Sequence, residues 1–257
     1  MKHSIILKAV FMTFLTLALS SPDILALTGK EIIEKSEKLV QGDTQLAVYK
    51  IVIKTRRWTR TMKMKSYMDR RQRDDLKSFA EIYAPKKDAG NRFLMIGDKM
   101  WHYVPKLQQT VKISPSMMLQ SWMGSDFTND DVVKESSIIN DYTHKLLGKE
   151  TVDNHECYKV ELIPKPDAAV VWGKIFYFAR TEDMLPVRQE FYNEHNVLKK
   201  YLTYSDFKQM HDRIIPTLYK MQTVKKKDRY TLMKITAAKY DAPLPGKVFT
   251  LQNLKRK

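Results

Sequence analysis

A period of two in the hydrophobic pattern constrains the fold of this chain more than any other feature. Apolar and polar residues alternate over 47–54 and again over 62–68, as they do in strands that have one dry and one wet face. Further short strand candidates lie at 79–83, 92–96, 100–104, 110–113, 142–147, 157–163, 170–178, 186–192, 197–207, 214–222 and 230–240. Regular short strands joined by turns, such as Gly97-Asp98, predict an antiparallel sheet that curls or closes.

Helical signals are confined to two places, and the first of them precedes the strands. Thr28 and Glu31 have the spacing of a capping box. The apolar face that begins at Ile32 ends at Gly42, a residue type that commonly terminates helices. The sequence therefore predicts one amphipathic helix before the first strand.

The second helical signal interrupts the strands after Lys112. Ser114 or Ser116 can cap a helical turn that Gly124 ends, and Thr128 can cap another turn with Asp131 at its third position. We therefore expect a mainly β protein with a few helices. Its strongly curved antiparallel sheet has helices over one face.

The first 26 residues have the layout of a secretory signal peptide. Lys2 and Lys8 supply a basic start, residues 9–19 are apolar, and small residues follow as far as Ala26. The apolar run is shorter than the roughly 20 residues that a membrane-spanning helix needs, which disfavours a membrane anchor. We expect export with cleavage after Ala26, with Ser20 as the alternative site.

Charge and cysteine content narrow the class of protein further. The formal net charge of +16 favours anionic partners, either lipid head groups or an acidic protein face, and export argues against nucleic acid. Cys157 is the only cysteine, so the chain has neither a disulfide framework nor an N-terminal cysteine for lipid attachment. A lone cysteine is typically a small buried apolar residue. Because no linker-like composition follows the signal, residues 27–257 are expected to form one domain.

Catalytic and metal-binding patterns are scarce. The sequence has no G-x-S-x-G, Walker or H-E-x-x-H pattern, and the run from His155 to Cys157 has no second cluster of histidine and cysteine with which to hold a metal. Asp126, Asp130 and Asp131 could bind a cation, but acids in a first helical turn also stabilise the helix dipole. We expect neither catalysis nor a cofactor nor a metal site.

Methionine and tryptophan supply the most unusual side chains. Four large apolar residues crowd the first turn of the interruption, namely Met117, Met118, Trp122 and Met123, and Trp58, Trp101 and Trp172 lie on or near strand candidates. Methionine is flexible and favours surfaces that accept ligands of variable shape. These residues are consistent with an ordinary core or with an apolar groove, and composition alone leaves both open.

Three blocks of sequence carry a resemblance to a known family. They are PKKDAG at 85–90, MWHYVPK at 100–106 and the stretch that contains SMM and SWMGSDFTNDD at 116–131. Shorter matching blocks lie at 142–148, 164–168, 171–174, 185–190 and 249–251. The chain resembles the outer-membrane lipoprotein-sorting protein family, which is similar to LolA and LolB, over essentially all of residues 27–257.

The resemblance implies an incomplete β-barrel whose concave side is covered by helices and binds acyl chains. It implies Trp101 and Tyr103 as residues of the cavity wall, and five residues of the covering lid: Met117, Met118, Trp122, Met123 and Phe127. Strand alternation adds three further candidates for contact with lipid, Met62, Met64 and Trp172.

The expected function is that of a monomeric periplasmic carrier. It would bind a lipid or the acyl chains of a lipoprotein and shuttle them toward an acceptor at the outer membrane, beside an inner-membrane exporter of the RND or ABC type. The alternative is an accessory or adaptor protein of such an exporter that carries no lipid. An esterase is a third possibility, but no nucleophile and base have a suitable spacing.

Overall fold

The computed structural model describes residues 27–256 apart from 73–74, 134–136, 169 and 227; the predicted signal peptide lies outside them. Helix α1 (Gly29–Gln41) opens this part of the chain, as predicted. The Thr28 hydroxyl accepts a hydrogen bond from the Glu31 backbone N–H, and the Glu31 carboxylate accepts one from the Thr28 N–H. Gly42 ends the helix with a φ of 64°, a conformation that glycine adopts without strain.

Thirteen strands of the described residues follow. They are β1 (Thr44–Lys54), β2 (Thr59–Asp69), β3 (Lys77–Ala84), β4 (Arg92–Ile96), β5 (Lys99–Val104), β6 (Gln109–Lys112), β7 (Tyr142–Val152), β8 (His155–Pro164), β9 (Lys174–Arg180), β10 (Pro186–Tyr192), β11 (Leu198–Met210), β12 (Arg213–Thr223) and β13 (Tyr230–Tyr240). Each predicted strand corresponds to one of them. The alternation of apolar residues therefore located the strands well.

The strands form one antiparallel sheet made of two meanders. Its order is β6-β5-β4-β3-β2-β1-β13-β12-β11-β10-β9-β8-β7. The first meander (β1–β6) and the second (β7–β13) meet at the β1–β13 pair, which runs from Gln45 opposite Tyr240 to Lys54 opposite Tyr230. In the described part of the chain β6 and β7 are the sheet edges, so the barrel is incomplete, as expected.

The interruption between β6 and β7 differs from the two helices that we expected. It contains two 3₁₀ turns, Pro115–Met117 and Trp122–Gly124, followed by helices α2 (Asn129–Val133) and α3 (Ser137–Asn140). Left-handed backbone at Met123 (φ 52°) and Gly124 (φ 77°) breaks the first predicted helix. We call residues 113–133 the lid segment.

Strand β9 begins four residues later than expected, at Lys174 rather than Val170. The reason is a close approach at Gly173, where a Cβ atom would lie 2.8 Å from the Asn193 carbonyl oxygen. The residues before Gly173 leave the sheet and turn toward its covered face.

Both faces of the first meander are covered. On one face, which we call the inner face, Ala80, Phe93 and Met95 lie under the lid segment. On the outer face, Phe79 and Leu94 pack against a C-terminal 3₁₀ turn (Gly246–Phe249) and helix α4 (Leu251–Leu254). The sequence did not predict this second cover, because its helices are shorter than any reliable periodic signal.

Candidate functional site

A cavity of about 240 Å³ lies between the inner face of the sheet, α1 and the lid segment. Both meanders line it with apolar side chains, which include Met68, Phe93, Met95, Met100, Ile175, Phe191, Leu202 and Met221. The lid segment and the loop before β9 complete the wall. The cavity is thus a partly enclosed apolar space rather than a fully packed core.

Four of the predicted site residues line this cavity. Met64 lies on β2, Trp122 and Phe127 belong to the lid segment, and Trp172 belongs to the loop before β9. The Trp172 ring lies 5.4 Å from the ring of Phe191 on β10. Tryptophans from the lid segment and from the loop before β9 therefore line the same cavity.

Four other predicted residues lie behind the residues that line the cavity. They are Met62, Met117, Met118 and Met123, and each packs in the apolar cluster beneath the lid segment without lining the cavity. Met62 is fully buried there. These side chains support the wall and the lid.

Trp101 and Tyr103 lie on the opposite face of the sheet from the cavity. They pack against the C-terminal cover, and the Arg92 guanidinium lies 5.3 Å from the Tyr103 ring. The reason is strand parity, because successive side chains point to opposite faces and the neighbouring Met100 lines the cavity. The wall assignment of this pair is therefore corrected. Met100 could have been found by applying the alternation to β5.

His102 shares the inner face with Met100 and adds no charge to it. Its ring stacks on Phe93 at a centroid distance of 4.3 Å, and its Nε2 hydrogen-bonds to the Asn91 side chain at 2.9 Å. Burial lowers the pKa of His102 to about 4 because a charged imidazolium loses its solvation there. The ring is therefore neutral at neutral pH.

One ion pair fastens α2 to the second meander. The Lys200 ammonium on β11 pairs with the Asp131 carboxylate, and the two side chains are only 6% and 10% exposed. The same ammonium lies 4.7 Å from the Trp172 ring centroid. Asp131 also accepts a hydrogen bond from the Thr128 N–H at 2.7 Å, while its own N–H donates to the Thr128 hydroxyl at 3.1 Å. The predicted cap of this helix is confirmed.

A second ion pair fastens the lid segment near the start of β13. The Arg229 guanidinium donates to Asp126 at 2.7 Å and to the Ser125 carbonyl oxygen at 2.9 Å. The Thr231 hydroxyl donates to the same carboxylate at 2.9 Å, and the Asp126 side chain is 1% exposed. These carboxylates are thus used to hold the lid. Among the described residues no group of three potential ligands could hold a metal ion.

One boundary of the cavity is polar and lies near the end of α1. The Tyr177 hydroxyl donates to the Glu37 carboxylate at 2.9 Å and hydrogen-bonds to Ser36 at 2.7 Å. Burial, together with the nearby Glu37 carboxylate, raises the pKa of Tyr177 well above its ordinary value. The Arg70 guanidinium donates to the Gln41 carbonyl oxygen at 3.2 Å. The polar boundary is therefore held by internal hydrogen bonds.

Trp122 brings a polar atom into this otherwise apolar setting. The residue is 3% exposed and lines the cavity. Within the described part of the protein, its indole N–H is buried and has no hydrogen-bond acceptor. A buried donor of this kind costs free energy unless something accepts from it.

Solved structures share this architecture. A domain from Vibrio parahaemolyticus assigned to outer membrane lipoprotein sorting is 22% identical, with a TM-score of 0.79 over 89% of this chain and 98% of that one. A DUF1329 family protein from Desulfovibrio piger is 21% identical, with a TM-score of 0.81 over 88% and 97%. A LolA superfamily protein from Nitrosomonas europaea is 22% identical, with a TM-score of 0.72 over 89% and 100%.

These likenesses show that the fold is LolA-like. No curated protein matches the chain. Of the helices formed by described residues, none has the length and apolar character to cross a membrane. A family model does match residues 74–256, and its description reads "uncharacterized protein". The chain therefore belongs to this family of LolA-like fold.

Proposed function

We propose that this protein is a periplasmic carrier which binds the acyl chains of a lipid or lipoprotein and moves them toward the outer membrane. The observation that supports the proposal best is the apolar cavity beneath a lid that two ion pairs hold in place. The function requires binding and release but no catalytic step. The Vibrio relative, named for lipoprotein sorting, has the same fold.

Burial of the acyl chain supplies the binding energy. Each methylene that leaves water contributes about 0.8 kcal/mol. The volume of about 240 Å³ is slightly below the roughly 300–1,000 Å³ of typical small-molecule sites. One acyl chain therefore matches the closed cavity better than several, and a larger cargo requires the lid segment to move.

Trp122 gives the cavity a means of orienting its cargo. Its buried indole N–H can donate to an ester or carboxyl oxygen at the head of an acyl chain. The flexible Met64, Met95 and Met100 side chains can adapt to chains of different shape. Cargo selection by this cavity is thus expected to depend on the acyl group rather than on one head group.

The four tryptophans of the chain provide a direct test of cargo binding. Trp122 and Trp172 line the cavity, and Trp58 and Trp101 do not. A bromine-substituted fatty acid quenches tryptophans that it contacts. We expect it to quench the W58F/W101F variant, which keeps the lining pair, and to leave the W122F/W172F variant largely unquenched.

Native mass spectrometry of both variants provides the control for retained binding, because it detects bound fatty acid without using fluorescence. Equal quenching of the two variants would contradict the assignment of the cavity. If the unmodified protein neither quenches nor carries fatty acid, the carrier function is wrong. An adaptor role beside an RND or ABC exporter is then the better explanation.

A further inference from the structure

Four loops lie side by side at one end of the sheet, each between neighbouring strands from β6 to β12. The loop between β8 and β9 and the loop between β10 and β11 lie at the same end, farther along the sheet. Strands β1, β3, β5 and β12 all run toward this end, because each is antiparallel to its neighbours and the β1 residue Lys54 pairs with Tyr230 at the start of β13. We call this surface the basic end and define it by the loops 55–58, 85–91, 105–108 and 224–229.

Exposed cations dominate the basic end. Its exposed basic residues are Arg56, Arg57, Lys86, Lys87, Lys106, Lys225 and Lys226. The acids on these loops are Asp88, whose carboxylate lies 3.3 Å from Arg60, and the exposed Asp228. Among the described residues, none of the seven cations has an ion-pair partner. The surface therefore has a strong local excess of positive charge.

Two large apolar side chains protrude among these cations. Trp58 is 45% exposed and Leu107 is 62% exposed. The Thr55 hydroxyl accepts hydrogen bonds from the N–H groups of Arg57 at 3.3 Å and Trp58 at 3.0 Å. The Trp58 tip is therefore presented by a hydrogen-bonded turn, although water contact at an apolar ring is unfavourable.

The opposite end of the sheet lacks this imbalance. Its turns contain several acids, which include Asp69, Asp98, Asp153, Glu182, Asp183, Asp212 and Asp241. Local cations pair with many of them: Arg71 with Asp69, Arg180 with Asp183, and Arg213 with Asp212. The positive charge of the chain is therefore concentrated at one end of the sheet.

We propose that the basic end docks on an anionic lipid bilayer, with Trp58 and Leu107 at the level of the head groups. Clustered lysine and arginine attract anionic lipid over about a Debye length, and tryptophan favours the membrane interface. An acidic protein face would match the cations but would leave two separated apolar tips without a general role. The bilayer accounts for both features.

The position of Arg229 connects this surface to the lid. Arg229 belongs to the loop 224–229 and holds Asp126 of the lid segment. Docking therefore places the membrane next to one of the two ion pairs that fasten the lid. The docking itself needs no cargo, so it does not depend on the carrier function.

Sedimentation with vesicles tests the docking surface. We expect the full protein to bind vesicles of phosphatidylcholine mixed with phosphatidylglycerol, to bind phosphatidylcholine alone weakly, and to dissociate at high salt. Removing four cations in R56Q/R57Q/K225Q/K226Q is expected to weaken binding to the anionic vesicles by at least about tenfold. Trp58→Ala tests the apolar tip and is expected to weaken binding to the anionic vesicles at low salt.

A matched control removes the same charge from other places. Lys35, Lys38, Lys99 and Lys239 are exposed and lie outside the basic end, so the K35Q/K38Q/K99Q/K239Q variant is expected to bind anionic vesicles as the parent does. Equal losses in the two quadruple variants, or no binding by the parent protein, would overturn the proposal. Fatty-acid quenching is measured in parallel, so a failure of docking is distinguished from a failure of cargo binding.

Discussion

The surroundings of Cys157 determine the ionisation of its thiol. The thiol is fully buried among Val152, Phe178 and Val187. Burial raises its pKa to about 11, since the thiolate would lose its hydration there. The side chain thus serves as a small apolar core residue, and this position agrees with what the sequence predicted.

We predict that Cys157 reacts with a thiol reagent only when the protein opens. At mildly alkaline pH the thiolate population is small and the sulfur is shielded, so labelling of the native protein is expected to be slow and labelling in denaturant fast. A C157A/T236C variant, with its cysteine at an exposed position, is the control and is expected to label rapidly in both states. Rapid labelling of native Cys157 would contradict this burial.

The sequence predicted the roles of residues correctly where contacts within one turn determine those roles. It failed where the role depends on which face of a strand the side chain occupies. The caps at Thr28 and Thr128 depend on hydrogen bonds within one turn, so spacing was sufficient to find them. Trp101 was assigned to the cavity wall from the family resemblance, yet its parity on β5 places it on the outer face. Residue type carries no information about which face of a strand is covered.

Two ion pairs fasten the lid segment to the second meander. Most apolar residues of the segment, including Met117 and Trp122, pack on the first meander, whereas Phe127, Asp126 and Asp131 contact the second. The segment thus bridges the two halves of the sheet across the cavity. Such an element can open only when one set of contacts is released.

We predict that Lys200→Met loosens the lid. Removing one partner of a buried pair leaves Asp131 uncompensated and typically costs about 3–5 kcal/mol. Part of this cost is expected to appear as faster hydrogen exchange in the lid segment and faster release of bound fatty acid. Mass-spectrometric hydrogen exchange measures the first effect, and stopped-flow quenching measures the second.

Lys149→Met is the matched control for this prediction. Lys149 and Glu156 form an ion pair at 3.0 Å on the surface, where both side chains are more than half exposed. Surface pairs contribute about 0–1 kcal/mol, so we expect no change in lid exchange. If both variants behave alike, the Lys200–Asp131 pair does not fasten the lid.

The elements of the sheet were predictable, and those of the lid were not. A strand shows its period of two in its own sequence, which is why β1 and β2 were found from residues 47–54 and 62–68. The lid has little regular structure, and long-range contacts such as Arg229 with Asp126 fix its path. Contacts between residues 103 positions apart leave no periodic signal in a sequence.

At the scale of the whole molecule, the two faces of the first meander have different roles. The inner face of the first meander contributes to the cavity, and its outer face is closed by the C-terminal cover. Leu254 in α4 is fully buried in that cover. Stability and cargo binding are therefore expected to respond to different substitutions.

We predict that Leu254→Ala destabilises the fold without altering the cavity. Truncation of a fully buried leucine typically lowers the free energy of unfolding by about 2–5 kcal/mol, which urea denaturation measures. Leu251→Ala, at a 43% exposed position of the same helix, is the control and is expected to change it by less than about 1 kcal/mol. Weaker fatty-acid binding by folded Leu254→Ala would show that the two faces are coupled.

The overall architecture was predictable from the family resemblance, and the solved structures confirm it. The distribution of charge at the two ends was not. Arg57, Lys86 and Lys226 are far apart in the sequence, and only the antiparallel order brings their loops to one end. A net charge of +16 gives no indication of this asymmetry.

The pairing of β1 with β13 has a consequence for how the chain folds. Gln45 and Tyr240, hydrogen-bonded across this pair, are 195 positions apart, and loop closure over such a distance slows folding. Each meander can form from local hairpins, but β1 remains an open edge until nearly the whole chain is available. Open edges recruit other strands, so this protein is most vulnerable to aggregation just before its centre closes.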